Sequence, residues 1–141
     1  MRFIPIVCLL FVILPSCEKD APPLTVDRLP GSYRGFEMTV RDADGQPLSV
    51  AELNGPDLTL RADGGLAMNE NAASWSLENN LLIVSWPTVS GEAIDSFTVH
   101  LSDDMILSLR KTDVSAGPPF ALFDQPAGAR VYTTVRYAKM E

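Results

Sequence analysis

Cys8, Cys17, His100 and the acidic pairs Asp42/Asp44 and Asp103/Asp104 are the residues of this chain whose types could do chemistry. A hydrolytic triad needs a histidine beside an activated serine and a buried carboxylate. His100 instead shares the polar side of an alternating stretch with Ser96 and Thr98, which reads as a lone surface histidine. The chain also has no Gly-x-Ser-x-Gly elbow. A zinc centre needs several Cys, His or carboxylate ligands, and a single histidine does not supply them. Asp42-Ala43-Asp44-Gly45 has the look of a calcium loop, but aligning Gly45 with that loop's glycine puts Val40 and Ala51 at the key carboxylate positions. It reads as a hairpin turn, and Asp103-Asp104 reads as another. No catalytic residue, metal or cofactor is expected, and the chain does not read as an enzyme.

The cysteines remain, and their positions point elsewhere. Arg2 precedes an apolar run, Phe3 to Leu14, that ends in Leu14-Pro15-Ser16-Cys17. The run has the length of a secretion signal and falls short of the ~18–20 residues a bilayer span requires. An aliphatic residue three before a cysteine, with a small one just before it, resembles the lipobox of bacterial lipoproteins. Pro15 stands where that motif usually has a small or β-branched residue. The resemblance implies cleavage after Ser16, with Cys17 as the lipidated first residue of the mature chain. Two or more acyl chains give durable anchoring where one is marginal. Cys8 would leave with the leader, so the mature chain has no partner for an internal disulfide and must be held by packing alone.

Charge and composition narrow the rest. The 141 residues carry 11 basic and 18 acidic side chains, and losing Arg2 makes the formal charge of −7 more negative still. Phosphate backbones select basic patches, so nucleic acid is not an expected partner. Docking onto anionic lipid by charge is disfavoured for the same reason. A hydrophobic share of 46% is that of a folded domain and not of a disordered chain. Residues 1–16 are expected to be the signal and 17–29, with Glu18-Lys19-Asp20 and Pro22-Pro23, an extended lipidated tether. Residues 30–141 are expected to form one domain.

That domain reads as short alternating strands broken by turn residues, with no sustained helical period. From Ser32 to Val40, the residues Arg34, Phe36, Met38 and Val40 share one face. Leu48 to Leu53 reads as a strand or one helical turn. Leu58, Leu60 and Ala62 point inward, followed by Leu66 and Met68 after Asp63-Gly64-Gly65, then Trp75 and Leu77. Leu81 to Trp86 is apolar on both sides except at Ser85 and reads as a central strand or one covered on both faces. Phe97, Val99 and Leu101 face one way, as do Met105, Leu107 and Leu109 in the next run. Arg130 to Ala138 is rich in β-branched and aromatic residues. Eight or nine strands in up-and-down order predict an all-β antiparallel meander, a small barrel or a β-sandwich. In a barrel the first strand would pair with the last.

Several short segments resemble the lipocalin-like lipoproteins of the Bacteroidetes group. They are Leu29-Pro30-Gly31-Ser32-Tyr33, Leu58-Thr59-Leu60 running into Asp63-Gly64, and Trp75-Ser76-Leu77 with Asn80-Leu81. Tyr33 stands where lipocalins proper carry a Trp, and the resemblance implies that Arg136 or Arg130 stacks on it. It also implies a lipocalin-like barrel in the cell envelope, held to the outer membrane through Cys17, with the periplasmic or surface face left open. Two functions follow as expectations. An open interior would bind a small apolar ligand. A solid one would leave the barrel as a tethered module for an outer-membrane protein partner. The apolar but irregular Gly117 to Phe123 reads as a lid over the barrel mouth, a partner contact, or a loop tucking Phe120 and Phe123 under the core; Phe120, Leu122 and Phe123, with the inward Trp75, are the candidate ligand or lid residues.

Overall fold

The structure, a computed structural model, describes residues 24–114 and 128–141. A 3-10 turn, Val26–Arg28, leads into nine strands: β1 (Gly31–Asp42), β2 (Pro47–Glu52), β3 (Asp57–Leu60), β4 (Gly65–Met68), β5 (Asn71–Glu78), β6 (Leu81–Thr88), β7 (Gly91–Leu101), β8 (Ile106–Val114) and β9 (Arg130–Lys139). All pairings are antiparallel. From β3 to β9 each strand pairs with the next, and β9 returns to β1 from Tyr33↔Lys139 to Asp42↔Val131. The fold is therefore all-β, a closed up-and-down barrel of lipocalin-like form, and not a sandwich. β2, the segment whose pattern left strand and helical turn open, is a strand lying outside the closed circuit.

β1 explains how nine strands make an eight-strand circuit. One of its edges carries β9; the other carries β3 along Gly31–Arg34 and β2 along Glu37–Arg41. The change of partner falls at Gly35. A Cβ there would stand 2.9 Å from the carbonyl oxygen of Gly55, so only glycine lets the incoming backbone approach this closely. A bulge between Gly35 and Glu37 inserts Phe36 as an extra residue against β9. Tyr33 is thus buried and Arg34 exposed, and the phase resets so that Met38 and Val40 share the side of Val135 and Thr133. The expected single face through Arg34, Phe36, Met38 and Val40 does not form, because strict alternation cannot anticipate a bulge.

The core gathers at the end of the barrel where the chain arrives, here called the base. Leu29, Tyr33, Leu58, Leu60, Leu82 and Leu107 are wholly buried, joined by Trp75, Leu101 and Tyr137. Each such side chain stabilises the fold by about 1.5–3 kcal/mol through the apolar surface it removes from water. The Tyr33 hydroxyl donates to the Leu29 carbonyl at 2.6 Å, which satisfies the one polar atom the ring brings inside. Leu24 packs against the same cluster. The stretch expected as an extended spacer up to Leu29 therefore folds onto the barrel from Leu24, because Leu29 supplies apolar surface that the base needs.

Other expectations are corrected locally. Lys139, not Arg136 or Arg130, lies over the Tyr33 ring, with Nζ 5.9 Å from its centroid and donating to the Pro30 carbonyl. Arg136 lies over Phe36 and pairs with Glu37 on the outer face. Ala62 is exposed in the turn before β4, and Met105 is exposed at a positive φ of 61°, one residue before β8 begins. Turn geometry, not strand alternation, sets both. β6 is the central strand, between β5 and β7, and not one covered on both faces: Leu81 is exposed, because a single closed sheet has only one inside.

Candidate functional site

The opposite end, the mouth, is built differently. β7 and β8 pair only from Thr98–Leu101 to Leu107–Arg110. Beyond that, β7 continues with β6 to Thr88↔Gly91, and β8 continues with β9 to Val114↔Arg130. The two arms part where the inward positions of β8 stop being apolar. On β8 the inward row runs Leu107, Leu109, Lys111, Asp113; on β7 it runs Leu101, Val99, Phe97, Asp95. Closing the ladder over these charges would strip their water at a cost that one ion pair does not offset. Among the described residues the gap is spanned by an ion pair, Lys111 Nζ to Asp95 Oδ1 at 2.8 Å. That hydrogen bond, followed by the nearby carboxylates of Asp95 and Asp113, holds the Lys111 ammonium above its ordinary range.

Behind this gap lies a cavity of about 160 Å³. Its walls are mainly apolar, with Met68, Val84, Trp86, Phe97 and Val135 toward the mouth and Leu58, Leu82 and Tyr137 as its floor. Lys111, Asp113 and Thr133 supply its polar part. Burial raises the Tyr137 hydroxyl above the usual tyrosine range, as it does for Tyr33 at the base. The hollows around Arg34, Gly55 and Asn69, and around Ser74, Pro87 and Glu92, are depressions of the barrel's outer surface.

The residues singled out from sequence fall as follows. Trp75 is buried in the base cluster, where its indole N–H donates to the Arg61 carbonyl at 3.0 Å; it does not line the cavity. Cys17, Phe120, Leu122 and Phe123 lie outside the described residues. His100 is exposed. Asp42 accepts the backbone N–H groups of Asp44 and Gln46, the geometry of a turn. Among the described residues no group of three or more His, Cys, Asp or Glu is placed to hold a metal. Sequence reasoning missed Trp86, Lys111, Asp113 and Thr133. A signal for two of them existed: Lys111 and Asp113 keep the inward phase of Leu107 and Leu109, and charged residues in that phase mark where a core stops.

Comparisons of the chain with family models, curated proteins and solved structures return no match. The geometry of the mouth therefore carries the functional argument.

Proposed function

We propose that this chain is an envelope lipoprotein, anchored to the outer membrane through acyl groups on Cys17, whose barrel takes one small apolar molecule at its mouth. The observation that carries the binding half is the apolar cavity of about 160 Å³ behind the parted β7 and β8. Cavities near 150 Å³ lined by aliphatic and aromatic side chains hold benzene-sized molecules, whereas sites for drug-sized ligands run to roughly 300–1,000 Å³. The ligand is therefore about the size of one ring, and a long acyl chain does not fit inside. The anchor half rests on the leader and on the position of Cys17 after Leu14-Pro15-Ser16.

Two experiments test the halves separately. Metabolic labelling with an alkyne fatty acid should mark the chain and should fail on Cys17→Ala; an equally labelled variant refutes the anchor. Calorimetric titration with benzyl alcohol should show binding that Val135→Phe abolishes by filling the cavity. Equal binding by that variant refutes the cavity as the site.

The second reading, a tethered module for an outer-membrane protein, is favoured by one feature. Val89 and Ile94 are strongly exposed on the β6–β7 arm. Substituting both by Ser should remove a co-purifying outer-membrane protein and leave benzyl alcohol binding intact.

A further inference from the structure

We infer that the ligand of this cavity is a small organic ammonium compound: an apolar, ring-sized body with a positive charge at one end. The inference rests on the reading of the cavity as a binding site and adds the chemistry of the ligand's head group.

The cavity is not uniform along the barrel axis. Its inner part is walled by Leu58, Leu82 and Leu109, which offer nothing to a charge. Its outer part meets Lys111, Asp113 and Thr133. A molecule filling it therefore places an apolar body inward and whatever polar group it has at the mouth.

The charges at the mouth decide the sign of that group. Asp95 is compensated by Lys111 at 2.8 Å. Asp113 has no cationic hydrogen-bond partner among the described residues. The other charged groups at this end are engaged elsewhere or face outward. Asp42 is occupied by the N–H groups of Asp44 and Gln46. Glu92 accepts the Ser85 hydroxyl, and Arg110 lies over the Tyr132 ring, 5.5 Å from its centroid, on the outer face. Arg41 donates to the Gly45 carbonyl, and Arg130 is exposed at the start of β9. Among the described residues, two carboxylates thus face one ammonium, and the inner rim of the mouth carries an excess of negative charge.

Two rings strengthen the case. Trp86 and Phe97 line the same cavity, and the negative face of an aromatic ring attracts a cation most when water is displaced. A carboxylate ligand would meet Asp113 as a like charge. A neutral ligand would take water from Asp113 and return at most one hydrogen bond without a charge of its own. Only a cationic head turns both the carboxylate and the rings into attraction.

Three water-soluble probes with the same phenyl body separate the possibilities: benzylammonium, benzyl alcohol and benzoate, titrated calorimetrically into the full-length chain in detergent against detergent blanks. The expected order is ammonium, then alcohol, then carboxylate, with about a tenfold first step, the size of one favourable partly desolvated cation contact. Asp113→Asn should weaken benzylammonium severalfold and collapse its advantage over benzyl alcohol. Asp113 is exposed near the end of β8, and an unchanged unfolding midpoint checks that the variant is folded. If benzyl alcohol binds as well as benzylammonium, or benzoate binds best, the ammonium assignment is wrong and the apolar cavity stands. If the preference survives in Asp113→Asn, the assignment is equally wrong. If no probe binds, the binding reading falls and takes this inference with it.

Discussion

Near the base, β7 and β8 share a ladder from Thr98 to Leu101, and Leu101, Leu107 and Tyr137 fill the space behind it. A few residues further along, the same strands have parted, and a 2.8 Å ion pair reaches across between them. The same alternation operates at both ends. At the base the inward phase holds Leu and Tyr, so closing the sheet gains apolar burial. At the mouth it holds Asp95, Lys111 and Asp113, so closing it would cost their hydration. A barrel of this size can thus be core at one end and cavity at the other, with the boundary set by where the inward residues change type.

The sharpest way to break this contrast is to empty a position at the base. Tyr33→Ala should destabilise the protein by about 3–5 kcal/mol, because it leaves a void and orphans the Leu29 carbonyl. Chemical denaturation measures it; a loss below 1 kcal/mol would mean that the base is not a packed core.

Overfilling sharpens the contrast from the other side. Val99, 3% exposed in the core, should not accept Phe without a cost of about 1–3 kcal/mol. Val135, which faces the cavity, should accept it at little or no cost. If both substitutions cost the same, the void at the mouth is not real.

The smallest effect is a pH dependence. Burial raises the hydroxyls of Tyr33 and Tyr137 above their ordinary value of 10.0. A folded-state pKa above the unfolded one means that the unfolded chain releases its protons first. The associated stability is complete below about pH 10 and is lost as pH rises through the folded values. Tyr33→Phe removes one ionising group and the hydrogen bond to Leu29, at about 1 kcal/mol near neutrality. Its stability should then decline less steeply with alkali than that of the parent. Parallel slopes would show that Tyr33 ionises in the folded state as freely as in the unfolded one.

Much of this architecture was legible in the order of residues. Alternation at Leu58/Leu60, Trp75/Leu77 and Leu107/Leu109, with turns at Asp63-Gly64 and Asn79-Asn80, marks strands wherever the chain is read. Asn79 indeed adopts the left-handed backbone that such a turn demands. What failed to show were features that belong to no single strand. The bulge at Phe36 shows only in the pairing of β1 with β9, where Gly35 meets Tyr137 and Glu37 meets Arg136. Trp75 looks like a cavity wall in sequence, yet its indole finds the Arg61 carbonyl across a turn and is sealed into the base.

By itself, then, the sequence determined the strands and their up-and-down order, because pleating and turn preferences act over a few neighbouring residues. Tertiary structure alone decided that the sheet closes, that β2 stays outside the circuit, and that Trp86, Phe97, Lys111 and Asp113 border one small cavity. Those outcomes depend on which strands meet around the barrel and at what height, and neither is encoded in any local run of residues.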